Sequence, residues 1–190
     1  MDDSGDWEQR LRAAWAEEPP RLDGAVVLAE YDEGWPGLYE REAARIRGVL
    51  GDRVLLLEHI GSTSVPGLAA KPIIDIVLEV AYSANEADYA ALLEEAGYRL
   101  RVREPEWHEH RSFKSLAKDV NLHVFSAGCA ETVRMVTFRD WLRAHADDRE
   151  LYARAKRDLA QRQWKYTQNY ADAKTGVVEE ILSRARAGSA

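Results

Sequence analysis

The apolar positions switch between two periods along this chain, and the switch points mark its elements. Trp7, Leu11, Ala14 and Trp15 recur at helical spacing and predict a short amphipathic helix over 6–17. Pro19-Pro20 ends it, because neither residue can donate a backbone bond. Val26-Val27-Leu28 reads as a short strand or extended entry. Pro36 suits a first helical turn, and Tyr39, Ala43, Ile46 and Leu50 then follow a helical period to Gly51. The run Val54 to Ile60 reads as a buried strand, and Ile73 to Val80, rich in β-branched residues, as a second.

Ser83 and Glu86 form a capping-box pair. It predicts a helix with Tyr89, Leu92, Leu93 and Ala96 turned inward and Gly97 as its stop. Three short strands are expected at 98–103, 111–116 and 120–125. The last third is helical in pattern. Val133 to His145 would bury Phe138, Trp141 and Leu142, and a capping pair, Asp147 and Glu150, would open a helix carrying Leu151, Ala155 and Leu159. A final helix near Tyr170 to Ala187 would bury Val177, Val178, Ile181 and Leu182. The fold class is therefore α/β (α+β): one mixed sheet of about five strands, with flanking helices and a helical C-terminal part. Residues 1–22 read as an N-terminal arm whose two tryptophans need a surface on this chain or on a partner, and 23–187 as the main domain.

Composition narrows the function classes. The chain has 190 residues and a formal net charge of −7. That charge argues against non-specific binding to DNA, RNA or an anionic membrane. No apolar run approaches the roughly 20 residues that span a bilayer. The acidic start, residues 1–6, lacks the apolar segment of a signal peptide, and the single Cys129 excludes an internal disulfide; both suit a cytoplasmic protein.

Candidate chemistry centres on residues 61–75. Gly61-Ser62-Thr63-Ser64 links the two apolar strands, and the second carries Asp75 among Ile73, Ile74, Ile76 and Val77. A Gly-Ser turn followed by an acid-bearing strand is the layout of a site that holds phosphate on the turn and a cation on the carboxylate. Lys71, Arg111 and Lys114 could neutralise the phosphate, arginine as a bidentate fork. Asp75 and His123, with Glu58 or His59, could hold one divalent cation with mixed N/O ligands. The plainer readings stand beside these. Asp75 could be a buried ion pair with Lys71, Arg111 or Lys114. His123 could be a hydrogen-bonded core histidine. His59 could be oriented by Glu58. His108 and His110 with Glu106 and Glu109 read as a solvated loop, and Arg134, Arg139 and Arg143 as a solvated helix face. Tyr166, Tyr170 and Lys174 recur at i, i+4 and i+8 and could present a hydroxyl, a ring and an amine to a nucleotide; core packing explains the tyrosines equally well. Cys129 reads as a small apolar filler.

The segment 57–76 resembles the signature of the GrpB (UPF0157) family. So do Glu104-Pro105-Glu106-Trp107, His110-Arg111-Ser112-Phe113-Lys114, Asn121-Leu122-His123-Val124-Phe125, 138–145 and 170–174, in the family's order over about 25–185. The family also occurs fused behind dephospho-CoA kinase, whereas this chain has no P-loop. The resemblance implies a nucleotidyltransferase-like fold of the DNA polymerase β superfamily. In that superfamily a Gly-Ser turn holds a triphosphate, and two acids at i and i+2, plus a third on a nearby strand, hold two divalent ions such as magnesium. Alternate strand residues face the same way about 6.6 Å apart, so such a pair can bridge ions ~3.5–4 Å apart. Here the first acid would be Asp75, but the i+2 position is Val77, and Glu79 lies about 13 Å from Asp75 along the strand. The third position falls on Asn121 or His123, neither a carboxylate. The acid set is therefore incomplete.

Two readings follow. In one, the chain binds a nucleotide or phosphorylated small molecule between the Gly-Ser loop and Asp75 and transfers a nucleotidyl group to a small acceptor with a divalent metal. In the other, a catalytically degenerate fold serves as a binding or folding-helper module for a protein partner, or as a homo-oligomer, through the arm. Metal-assisted hydrolysis would additionally require His59 and His123 to converge on one ion.

Overall fold

A computed structural model of the chain describes residues 3–188. Met1 and Asp2 of the acidic start lie outside the described residues. Helix α1 spans Asp3–Ala14 and strand β1 Arg21–Gly24. Helix α2 (Trp35–Leu50) carries Pro36 in its first turn, where a missing N–H costs nothing. Strands β2 (Leu56–Ile60) and β3 (Ile74–Val80) flank the Gly-Ser segment, which makes a single 3-10 turn at Ser62–Ser64. Helix α3 is Ala90–Glu95, followed by β4 (Tyr98–Glu104), β5 (His110–Ser115) and β6 (Val120–Ser126). The C-terminal part holds α4 (Ala130–Ala144), α5 (Ala146–Ala160), β7 (Trp164–Tyr166), α6 (Thr167–Asp172) and α7 (Thr175–Gly188).

The main sheet has the order β2-β3-β6-β5-β4. Only β3 and β6 pair in parallel; the other neighbours are antiparallel. One face is sealed by α2 and α3. Ile46 and Leu50 of α2 and Leu93 of α3 meet Ile74, Ile76, Leu78, Leu122 and Val124 with no more than 2% exposure. Each such aliphatic side chain contributes about 1.5–3 kcal/mol on burial. The opposite face is covered only in part. Met135 and Val136 of α4 pack on Ile60, Val77 and Phe125. Helices α4, α5 and α7 close on Val65 and Leu68 of the turn-bearing loop through Leu142, Tyr152 and Ile181. The central part of that face, over β3, β6 and β5, is left to polar side chains.

Several expected elements differ. Val26-Val27-Leu28 is not a strand; the strand is the polar β1, which pairs with β7, a strand the helical pattern concealed. Ser83 does not cap a helix with Glu86. Its hydroxyl donates to the Glu109 carbonyl, and Glu86 binds Arg103 and Arg111, so the segment forms a 3-10 turn before a shorter helix. The residue before α5 is His145 and makes no side-chain cap; Asp148 instead accepts from the Trp141 indole and pairs with Arg184. The last helix is broken into α6 and α7. No described helix is long and apolar enough to cross a membrane.

Candidate functional site

Sheet alternation decides which predicted residues meet. Asp75 lies opposite Asn121 in the β3–β6 register, Val77 opposite His123, and Asn121 opposite Lys114 in β5–β6. These side chains share the partly open face. Asn121 Nδ2 donates to Asp75 Oδ1 at 2.6 Å, and Lys114 Nζ donates to Asn121 Oδ1 at 2.7 Å. The amide that occupies a place expected for a third acid therefore links a lysine to the single aspartate.

Gly61 fits against the other carboxylate oxygen. Its φ is +68°, and a Cβ there would lie 2.5 Å from Asp75 Oδ2. Only glycine permits both that backbone conformation and that approach. The turn is also held from outside the sheet. Arg139 is 8% exposed and binds the Glu58 carboxylate at 2.7 Å and the His59 carbonyl at 2.9 Å; Arg143 donates to the Ser64 carbonyl at 3.0 Å. These two arginines are braces for the loop rather than part of a solvated face.

Two further lysines, Lys71 of the loop and Lys174 of the C-terminal part, feel the charge of this carboxylate together with Lys114. The Asp75 charge favours the ammonium forms of Lys71, Lys114 and Lys174. Burial works in the opposite direction and lowers all three; Lys174 also repels Lys71, and Lys71 repels Lys114. Lys156 of α5 is 2% exposed and donates to the Ala69 carbonyl. Burial brings it down to about 7, with Lys174 adding to the shift. Tyr170 stands between two of these amines, Lys174 Nζ 4.8 Å and Lys71 Nζ 5.7 Å from its ring centroid. Its hydroxyl is buried and has no hydrogen-bond partner among the described residues. Among the described residues, none of the four ammonium groups lies within 4.0 Å of a carboxylate oxygen.

Other predicted site residues are placed elsewhere. Arg111 points to the helix-covered face, opposite Val124, where its guanidinium binds Glu86 at 2.6 Å; β5 alternation separates it from Asp75. The Thr63 and Ser64 hydroxyls are buried and committed, Thr63 to the Ile73 carbonyl and His59, Ser64 to the Gly61 carbonyl. Ser62 alone of the three stays half-buried; its side chain hydrogen-bonds the Tyr152 phenol, which burial pushes up to about 12. His59 is not oriented by Glu58. It lies opposite Ile76, stacks on Tyr39 at 4.9 Å and bonds Thr63, so it occupies the face opposite His123. The two histidines do not converge. Tyr166 turns to Trp7 and Arg12 of the N-terminal arm, away from Tyr170.

The expected cation set does not assemble. Glu58 is paired with Arg139, His123 is bonded to His110, and Val77 is buried in an apolar cluster. Among the described residues there is no group of three His, Cys, Asp or Glu side chains that could hold a metal ion. Glu79, the next acid on the Asp75 face, accepts from the Gly128 and Cys129 amides at the start of α4. Sequence reasoning missed Tyr152 and Lys156, which sit on a helix of ordinary amphipathic pattern, and the pair Glu104 and His110.

Comparison with known proteins supports the resemblance. The family model described as "GrpB protein" matches residues 25–184. A UPF0157 protein of Halalkalibacterium halodurans is 58% identical over 95% of this chain and 92% of its own length. A UPF0157 protein of Streptomyces coelicolor is 49% identical over 85% of each. A dephospho-CoA kinase of Mycolicibacterium paratuberculosis is 30% identical over 72% of this chain but only 40% of its own length. The crystal structure of the conserved protein GrpB from Enterococcus faecalis superposes with a TM-score of 0.74 at 30% identity, covering 84% of this chain and 96% of that one. The chain belongs to the GrpB family.

Proposed function

We propose that this protein binds a nucleotide or another phosphorylated small molecule in the cleft between the Gly61 turn and Asp75. Lys71, Lys114, Lys156 and Lys174 supply the countercharge, and Tyr170 supplies a hydrogen bond. The observation that carries this reading is the excess of buried and half-buried cations over anions around Asp75. Lys71, Lys114 and Lys174 share the charge of one carboxylate, none of them forms an ion pair with it, and Lys156 adds a fourth amine beside Lys174. A desolvated charge without a partner costs several kcal/mol, and a multiply charged phosphate removes that cost for several amines together. The unpartnered Tyr170 hydroxyl points to the same need. A nucleotidyltransferase-like ancestry agrees with phosphate binding, but the donor set here favours lysines over paired metal ions. The arm's tryptophans are engaged on this chain, Trp7 on Asp172 and Tyr166 and Trp15 beside Val102 and Arg101, so they give no separate support to a partner-binding module.

Calorimetric titration with tripolyphosphate and with each nucleoside triphosphate, in EDTA and again with magnesium, tests the proposal. Binding is expected in EDTA, weakening as salt rises, and falling at least about tenfold in Lys71→Gln combined with Lys174→Gln. Asp75→Asn is expected to retain binding, because it removes a negative charge from an anion site. No heat with any of these ligands, or binding indifferent to the lysine pair, would refute the reading. Binding that requires magnesium and is lost in Asp75→Asn would replace it with a metal-bridged one.

A further inference from the structure

A second set of polar groups lies on the same sheet face as Asp75 and Lys114, and the phosphate-binding reading does not use it. His110 is 4% exposed. Its Nδ1 lies 2.7 Å from Glu104 Oε2, and its Nε2 lies 3.1 Å from His123 Nδ1. The His110 ring is clamped in plane. It stacks on Phe125 at 4.8 Å and 24° and meets the edge of Trp107 at 5.2 Å and 85°. The two residues before it, His108 and Glu109, both adopt left-handed backbone, with φ of 54° and 50°. That conformation costs about 1–2 kcal/mol per non-glycine residue. It is held by hydrogen bonds from Ser83 Oγ and Arg111 to the Glu109 carbonyl and from the Tyr82 hydroxyl to the Glu109 carboxylate. The turn that delivers His110 is thus strained and tied down at three points.

Hydrogen-bond logic fixes the tautomers. An ionised carboxylate only accepts, so Glu104 takes the His110 Nδ1–H. The neutral His110 then has a bare Nε2, which can only accept, and the proton between the rings belongs to His123 Nδ1. His123 Nε2 is left bare, on the face shared with Asp75 and Lys114. It makes no hydrogen bond to a described residue.

We propose that Glu104, His110 and His123 form a proton relay whose cleft end, His123 Nε2, accepts a proton from a hydroxyl of the phosphorylated ligand bound in the lysine cleft. This rests on the phosphate-binding reading above. The balance is simple. The hydroxyl proton moves to His123 Nε2, the His123 Nδ1 proton moves to His110 Nε2, and the oxygen keeps the electron pair as a nucleophile. The positive charge finishes on His110 against Glu104. A charge resting on His123 would be opposed first by burial and then by His110; Asp75 and Glu104 favour it less strongly than these two, and Lys114 opposes it least. Two imidazoles in series move the charge away from the lysines to a carboxylate. The Glu104 side chain is 36% exposed, so the outer end of the relay reaches water. His123 touches the ligand in this scheme, while His110 and Glu104 are positioning residues.

The test is long-range 15N–1H correlation on the full chain with labelled imidazoles, at slightly alkaline pH and without ligand. His123 is expected to show a protonated Nδ1 and a bare Nε2, and His110 a protonated Nδ1. In His110→Phe, His123 is expected to lose this fixed tautomer and shift towards Nε2–H, with unchanged circular dichroism. A protonated His123 Nε2 in the unsubstituted protein would overturn the relay, whatever the variant does. So would a tautomer that ignores the loss of His110. Diethyl pyrocarbonate, which acylates bare imidazole nitrogens, gives the second readout. His123 should be modified, at least tenfold more slowly under saturating tripolyphosphate. No modification of His123 would overturn its access to the cleft. Modification that tripolyphosphate does not slow, with the tautomers as stated, would place the fault in the phosphate reading and not in the relay.

Discussion

Lys156 shows how one buried side chain ties stability to pH. Its amine is 2% exposed, meets the Tyr152 ring at 4.9 Å and donates to a carbonyl rather than a carboxylate. Burial lowers it from an ordinary 10.5 to about 7. Between those values the unfolded chain holds a proton that the folded chain has released, so stability rises with pH across that window and levels off below about 7. The ligand-free protein is therefore expected to gain stability from pH 7 to 9 in thermal melts. Lys156→Met should flatten that rise, with its largest relative benefit at or below pH 7 and a difference of a few kcal/mol at most. Equal slopes in the two proteins would show that the amine is not desolvated. Gly61 is constrained in another way. Its neighbour Asp75 occupies the space of a side chain, so the carboxylate and the turn are fitted to each other.

Strand β3 joins Asp75 to the start of α4. Asp75 lies near one end, and Glu79 near the other accepts from the Gly128 amide at 3.0 Å and the Cys129 amide at 3.2 Å, where α4 begins. An anion at a helix start satisfies free amides and opposes the helix dipole. Glu79→Ala should cost about 1–3 kcal/mol, since it strands two partly buried donors. A lower denaturant midpoint with an unchanged m-value would show this, and an unmoved midpoint would count against it. Elements with long apolar runs were legible in the sequence: α2, β2 and β3 fall where their patterns put them. Strands β1 and β7 were not, because four polar residues and a three-residue strand inside a helical pattern carry no periodic signal. The Ser83–Glu86 pair was misleading because two arginines from β4 and β5 claim Glu86. The same limits apply to the site. Gly61, Lys71 and Asp75 stood out because they lie together on one loop and strand. Lys156 approaches Lys174 only through the packing of α5, and Arg111 is kept from Asp75 by strand parity. His110 looked like part of a solvated loop because its partners, Glu104 and His123, lie on neighbouring strands.

At the scale of the molecule, the sheet has two borders, β2 and β4. The N-terminal arm lies along β4. The Ala16 amide donates to the Arg101 carbonyl at 2.8 Å, Trp15 bridges to Val102, and Glu17 pairs with Arg101 at 2.8 Å. Glu8 and Lys165 tie the same arm to β7. Removing residues 1–17 should leave the main sheet folded, since its core contains none of them. Light scattering of the truncated protein should show mass increasing with concentration, while the full chain shows less. A truncated protein that matches the full chain in mass at every concentration would deny the arm this role. A strand with free backbone groups is a landing strip for another copy of itself. Seen this way, residues 15–17 are a built-in mate for the middle of β4, one that arrives with every chain and occupies the place a stranger would take.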